Sequence, residues 1–175
     1  MAAKKKKAWQ DQLYELLKND LGITQFSYVP DAGHKILIDR SLSDPDVHSI
    51  ALTTEEEGVA MATGAWLGGE RSAVLVQSSG VGNCVNFFSL NTNARIPLLM
   101  LVSMRGDFGE ANPWQVPMGQ AVQPVCEACG LKVLRCDYED EVIPTMQAAG
   151  NMAFRSLQPM AVLLTQKLLG AKFFA

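Results

Sequence analysis

Hydrophobic positions along the chain change period several times, and each change marks an element. Trp9, Leu13, Leu16 and Leu17 recur at helical spacing, which predicts a helix from Trp9 to Asp20 ended by Gly22. Gln25 to Val29 reads as a short strand stopped by Pro30-Asp31, and Gly33 to Ser41 as a helix with Ile36 and Leu37 on one side. Val47 to Leu52 is a second strand. A helix follows from Glu55 to Leu67, closed by Gly68-Gly69. Ala73 to Gln77 predicts a strand, Gly82 to Ala94 a helix, and Pro97 to Ser103 another strand. Met104 to Gln120 is irregular and rich in Gly, Pro, Asn and Asp. Ala121 to Cys129 predicts a short helix and Lys132 to Arg135 a strand. Glu139 to Ser156 predicts a helix and Met160 to Thr165 the last strand.

Two of these strands decide the fold class. Ala73-Val74-Leu75-Val76 and Leu98-Leu99-Met100-Leu101-Val102 are apolar throughout rather than alternating. Strands of that kind are buried on both faces, as in a parallel sheet covered by helices. Together with the strand–helix alternation, they predict an α/β fold. It would have three layers, α/β/α, around a mostly parallel sheet of about six strands joined by right-handed crossovers. No repeat and no linker divides the chain. Residues 8–175 read as a single domain behind a basic, flexible tail at residues 1–7.

Composition narrows the function classes. A chain of 175 residues with 48% hydrophobic content can bury a real core. Its net charge is -3, and the only basic run is Lys4 to Lys7. Nucleic acid is therefore not an expected partner, because a binding face needs clustered Lys and Arg. The longest apolar runs, such as Ile96 to Val102, are too short to cross a bilayer. No targeting segment is recognisable either, so the chain reads as cytoplasmic with no membrane contact. Cys126 and Cys129 have redox or zinc spacing, but no second CxxC accompanies them, and His34 and His48 lie far upstream. These thiols, with Cys84 and Cys136, are expected to pack in or near the core, and no metal site is expected within the chain.

In open parallel sheets, ligands bind beyond the carboxyl ends of the strands. Four segments occupy that position: Pro30 to His34, Thr53 to Gly58, Gln77 to Asn83, and Met104 to Gln120. Thr54 and Glu57 fit a capping box, and Glu55 and Glu56 would sit in the first helical turn, where negative charge suits the dipole. That structural role alone accounts for all three glutamates. The residues that follow ask for more, because Gly58 and Gly64 each cost a helix roughly 1 kcal/mol against alanine. A helix tolerates this where another backbone or a flat ligand must approach closely. A carboxyl group beginning such a helix would then lie in a dry interface. Gln77 to Asn83 is either a Gly-rich turn or a set of backbone N–H groups able to hold an anion. It lacks both the P-loop ending and the dinucleotide fingerprint. Arg105 either grips an anionic substrate group or pairs with Asp107 or Glu110. Trp114 either shields a site from water or pins its loop.

The blocks Val29-Pro30-Asp31, Glu55-Glu56-Glu57-Gly58-Val59, Gln77 through Asn83, Arg105-Gly106 and Gln115 through Gly119 stand in a recognisable order. Over about residues 25 to 120 they resemble the pyrimidine-binding domain of thiamine-diphosphate-dependent decarboxylases. The sulfopyruvate decarboxylase alpha subunits are the nearest group, followed by the phosphonopyruvate decarboxylases. The resemblance implies the thiamine-diphosphate-binding fold and decarboxylation of an anionic 2-oxo acid. Glu55 would be catalytic, hydrogen-bonding the aminopyrimidine ring. Pro30, Asp31, Gln77, Ser78, Gly80, Gly82 and Asn83 would line the cofactor. His34, Arg105 and Gln115 would face the substrate, with Arg105 on its sulfonate or phosphonate. The family holds the cofactor's diphosphate through magnesium on a Gly-Asp-Gly motif, which this chain lacks. Gly106-Asp107 is its only Gly-Asp, and Phe108 follows it. A separate beta subunit carrying that motif and the magnesium is implied, in a homo- or hetero-oligomer. Two positions depart from the family pattern. Met104 stands where a Trp is expected, and Ala32 where a polar residue is common. Another 2-oxo acid as substrate, or a catalytically silent assembly or regulatory subunit, are the alternatives.

Overall fold

The computed structural model describes residues 7–171. The expected basic tail lies outside the described residues except for Lys7, which sits 3.8 Å from Glu15. The chain opens with α1 (Trp9–Glu15), β1 (Gln25–Tyr28), α2 (Lys35–Ser43) and β2 (His48–Ala51). Next come α3 (Glu55–Leu67), β3 (Ser72–Gln77), α4 (Ser78–Cys84), α5 (Phe88–Ala94) and β4 (Leu98–Ser103). It ends with α6 (Val116–Ala128), β5 (Lys132–Cys136), α7 (Glu139–Ser156), β6 (Pro159–Leu164) and α8 (Gln166–Leu169). No helix among the described residues is long and apolar enough to cross a membrane.

The six strands form one sheet in the order β2-β1-β3-β4-β6-β5, and every pairing is parallel. Burial follows position in that order. β4 and β6 are buried along their whole length, whereas the edge strand β2 is largely open. Side chains leave a strand alternately to its two faces. Leu75, Leu99 and Leu101 accordingly join one apolar layer, with Leu13, Leu17, Leu37, Met146 and Ala153 of α1, α2 and α7 and the adjoining helical turn. Val74, Val76, Met100 and Val102 join the other, with Val59, Val81, Phe88 and Val122 of α3 to α6. The three-layer α/β/α sandwich expected from the sequence is present.

The path through the sheet creates a crevice. From β1 the chain steps outward to the edge strand β2, then reverses and crosses to β3. The helix after β1 therefore covers one face, and the helix after β3 covers the other. Between the C-terminal ends of β1 and β3 no connection crosses the rim, which is where open α/β sheets bind ligands.

Three elements differ from the expectation. The helix placed at Gly82 begins at Ser78, directly on the end of β3, and breaks after Cys84 before α5 resumes at Phe88. Small residues let the turn start on the strand itself. The helix placed at Ala121 begins at Val116, because Pro117 in its first turn is pre-set for helix and gives up no needed N–H. The irregular stretch thus shrinks to residues 104–112 and a 3₁₀ turn at Pro113–Gln115. Residues Leu16–Asp20 continue α1 as a wider, π-type turn.

The two glycines of α3 have opposite surroundings. A Cβ on Gly58 would fall 2.7 Å from Val74 and 2.9 Å from Leu52, so the helix needs glycine there to reach the sheet. A Cβ on Gly64 would meet nothing within 4 Å. Overpacking costs about 1–3 kcal/mol, against a helical gain of about 1 kcal/mol. Gly58→Ala is therefore expected to destabilise the chain and Gly64→Ala to stabilise it by up to about 1 kcal/mol. Chemical denaturation of the two variants checks this, and equal shifts of one sign would contradict the packing.

Candidate active site

The parallel sheet brings the expected segments to one rim, and hydrogen bonds then join them. Asp31, at the end of β1, is the meeting point. Its carboxylate accepts from the Gly33 N–H at 2.8 Å, from Ser103 Oγ at 2.6 Å and from Gln77 Nε2 at 3.2 Å. Those donors belong to its own loop, to the end of β4 and to the end of β3. Burial pushes the Asp31 carboxyl up, but the hydrogen bonds and the nearby His34 outweigh this and hold it below its ordinary value. Gln77 in turn accepts from Ser79 Oγ at 2.7 Å.

Glu55 is the first residue of α3, and Asn83 of α4 donates to its Oε2 at 2.8 Å. The other oxygen, Oε1, has no hydrogen-bond partner among the described residues. Gly80 lies against this carboxyl so closely that any Cβ there would collide with it. Gly80 is thus required by the approach of Glu55, not by a turn. The expected capping box is absent as such. Thr54 caps with no side-chain bond, and Glu57 reaches back to the Thr53 N–H at 2.8 Å instead.

The remaining expected site residues are placed less directly. Ser78 is fully buried, and its hydroxyl bonds both the N–H and the carbonyl of Arg105. Gly82 and Asn83 are exposed on α4, and Pro30 is exposed beside Asp31. His34 is not open to a ligand. It is 1% exposed, with Nε2 3.1 Å from the Val76 carbonyl, and burial lowers its pKa despite the Asp31 charge. Gln115 is half-buried, its side-chain Oε1 without a hydrogen-bond partner.

Arg105 is paired, as one of the two sequence readings expected. Its Nε and Nη2 reach Glu110 at 2.5 and 2.7 Å, with both side chains buried. Asp107 instead meets Arg135 and the N–H of Gln166. Trp114 does not pin its loop, for it is 88% exposed.

A cavity of about 280 Å³ opens beside this cluster, on the α1 and α2 side. Asp31, Ser103 and Arg105 line it together with Trp9 and Leu168. Ala32 and Met104, the two departures from the family pattern, line it as well. Cys84, Cys126 and Cys136 are buried, which pushes their thiols up to about 12, 12 and 11. Among the described residues no His, Cys, Asp and Glu cluster could hold a metal ion.

Ser103 and Gln166 were not singled out from the sequence. Ser103 carried a weak signal, a polar residue ending an otherwise apolar strand. Gln166 carried none.

The Arg105 guanidinium, more than any other group, holds the Glu110 carboxyl down from 4.5 to about 2. A carboxyl held low when folded adds stability that is fully present above about pH 4.5 and is lost as the pH falls towards 2. The stability gap between the wild type and Glu110→Ala is therefore expected to narrow between about pH 6 and pH 3. Urea unfolding across that range measures it, and a constant gap would contradict the pairing.

No family model matches the chain. The sulfopyruvate decarboxylase alpha subunit of Methanococcus maripaludis is 35% identical over 146 residues, which cover 83% of this chain and 87% of that one. Its Methanocaldococcus jannaschii counterpart is 32% identical over 86% of this chain and 89% of that one. A phosphonopyruvate decarboxylase of Streptomyces viridochromogenes is 36% identical over 83% of this chain, but only 38% of that longer protein is covered. Among solved structures, a 2-oxoglutarate:ferredoxin oxidoreductase from Magnetococcus marinus matches 93% of this chain and 29% of its own, with a TM-score of 0.74. At 17% identity that likeness shows the fold. With relatives above 30% identity that it covers over most of their length, the chain belongs to the sulfopyruvate decarboxylase alpha-subunit family.

Proposed function

We propose that this chain is the alpha subunit of a heteromeric, thiamine-diphosphate-dependent sulfopyruvate decarboxylase, converting sulfopyruvate to sulfoacetaldehyde and carbon dioxide. One observation carries the reading. The Glu55 carboxyl begins α3, is held through Oε2 by Asn83, and leaves Oε1 without a hydrogen-bond partner among the described residues, packed against a glycine whose place no side chain could take. Such a carboxyl suits a shared proton with a ring nitrogen of the aminopyrimidine. When bound, thiamine diphosphate supplies the electron sink that lets a 2-oxo acid lose carbon dioxide.

The residues present fit half of that cofactor. Glu55, Gly80 and Asn83 would meet the ring, while Pro30, Asp31, Gln77, Ser78 and Gly82 build the rim around it. Asp31 fixes the side chain of Gln77, and Ser78 fixes the main chain of Arg105. His34 and Gln115 would act by positioning the Asp31 loop and the start of α6. The diphosphate end has no counterpart here. Gly106-Asp107 is the one Gly-Asp, and Asp107 is committed to Arg135 and Gln166. A beta subunit with a Gly-Asp-Gly motif would bring magnesium and complete the site. The outward face of α3 supports such an interface, since Ala60, Met61, Gly64 and Leu67 offer little but apolar surface. The relatives named as subunit alpha support it too. Phosphonopyruvate remains the second reading, on the strength of the Streptomyces relative.

The test is a decarboxylation assay on the chain co-expressed with its beta subunit, comparing sulfopyruvate, phosphonopyruvate and pyruvate. Sulfopyruvate is expected to be preferred, and the chain alone is expected to turn nothing over. Glu55→Gln should lower kcat by at least about a hundredfold. Gly80→Ala, which pushes the carboxyl aside, should cost roughly as much. Full activity in Glu55→Gln would remove Glu55 from the chemistry, and a preference for phosphonopyruvate would transfer the assignment.

A further inference from the structure

The surroundings of Glu110 are more than an ion pair needs. Five hydrogen bonds converge on this one carboxylate. Arg105 gives two, from Nε to Oε2 at 2.5 Å and from Nη2 to Oε1 at 2.7 Å. The Gly106 N–H reaches Oε2 at 3.3 Å, and the Asn112 N–H reaches Oε1 at 2.9 Å. The Gln166 amide donates to Oε2 at 2.9 Å. The carboxylate side chain is 2% exposed and the Arg105 side chain 10%. A guanidinium fork, two backbone N–H groups and a side-chain amide form a preorganised cradle for a compact oxyanion.

The cradle adjoins the proposed reaction centre. Ser78 bonds the main chain of Arg105 on both sides, and Gly80, within the same turn of α4, touches Glu55. The segment that delivers Glu110 also has the means to withdraw it. Gly106 and Gly109 both precede it, at φ +78° and +63°, conformations that other residues adopt only under strain. Exchange would return the Glu110 carboxylate to water while a second anion took over its donors, so no charged group would be left buried and unpaired.

We infer that the cradle formed by Arg105, Gly106, Asn112 and Gln166 is the binding site for the anionic tail of the substrate, and that Glu110 occupies it as an internal stand-in until that tail displaces it. This rests on the decarboxylase reading for its substrate and deepens it. The tail would be a sulfonate or phosphonate, either of which offers several oxygens to the same donors. Acids without a charged tail gain nothing from the cradle, which makes Glu110 and Arg105 the residues that set specificity.

The first arm of the test needs no activity. Thermal unfolding of the full chain is followed in sodium chloride and in sodium methanesulfonate or methylphosphonate at matched ionic strength. Glu110→Ala is expected to melt below the wild type in chloride and to regain much of the loss in methanesulfonate. The wild type should respond less than Glu110→Ala, because Glu110 competes with the added anion, and Glu110→Ala combined with Arg105→Met should regain nothing. If Glu110→Ala does not fold, Glu110→Gln is measured the same way. The absence of any anion-specific recovery would overturn the inference and leave a purely structural strap. The second arm uses the complex with the beta subunit. Removing the internal competitor should lower the ratio of KM for sulfopyruvate to KM for pyruvate by roughly tenfold. Recovery of stability with an unchanged ratio would also overturn the inference, since the cradle would then hold anions but not the substrate's tail. A complex inactive on every acid would instead refute the decarboxylase reading, with the thermal arm still deciding whether the cradle accepts an anion.

Discussion

Three strand ends depend on one carboxylate. Asp31 lies where the chain path reverses between β1 and β3, and no crossover bridges the rim there. The gap would let the loops after β1, β3 and β4 move independently. Hydrogen bonds from Gly33, Gln77 and Ser103 tie all three to Asp31 instead. A half-buried carboxylate costs free energy unless its lone pairs are satisfied, and here three donors serve them. The parallel sheet thus supplies the crevice, and Asp31 fixes its walls.

Either side of α4, the same helix serves two purposes. One residue, Gly80, gives way to the Glu55 carboxyl, while its neighbour Ser78 holds the backbone of Arg105. Small residues do this because bulkier ones would separate α4 from α3 and from β4. On the proposed reading the chain carries half of a site. A carboxyl is presented and steadied by Asn83, and the Asp107 of the one Gly-Asp dipeptide is bonded to Arg135 and to the Gln166 N–H. Such a half site is proposed to lie at an interface. The apolar outer face of α3, with Gly64 clear of any neighbour, agrees with that.

The fold was legible because its strongest signals are redundant. Ala73 to Val76 and Leu98 to Val102 have no polar alternation, so only a sheet covered on both faces suits them. Glu55, Gly80 and Asn83 were legible through the order of motifs along the chain, not through any one of them. The hydrogen-bond partners were not. Ser103 and Gln166 act on Asp31 and Glu110 across 72 and 56 residues, and nothing local marks such pairs. The starts of α4 and α6 were missed for the opposite reason. Gly-rich and Pro-containing segments read as loops, yet glycine at Gly80 and Gly119 is needed inside helices for close packing on Glu55 and on Arg105-Gly106. His34 was placed on the substrate side by the resemblance, but a short 3₁₀ turn at Ala32–His34 buries it against the Val76 carbonyl.

The central claim is that Glu55 presents its carboxyl to the ring of a cofactor shared with a second subunit. A crystal structure of the complex with that subunit, grown with thiamine diphosphate and magnesium, tests this most directly. The account expects an aminopyrimidine nitrogen within hydrogen-bond distance of Glu55 Oε1, with the diphosphate and magnesium held entirely by the partner. A cofactor bound away from Glu55, or a diphosphate held by this chain, would contradict it.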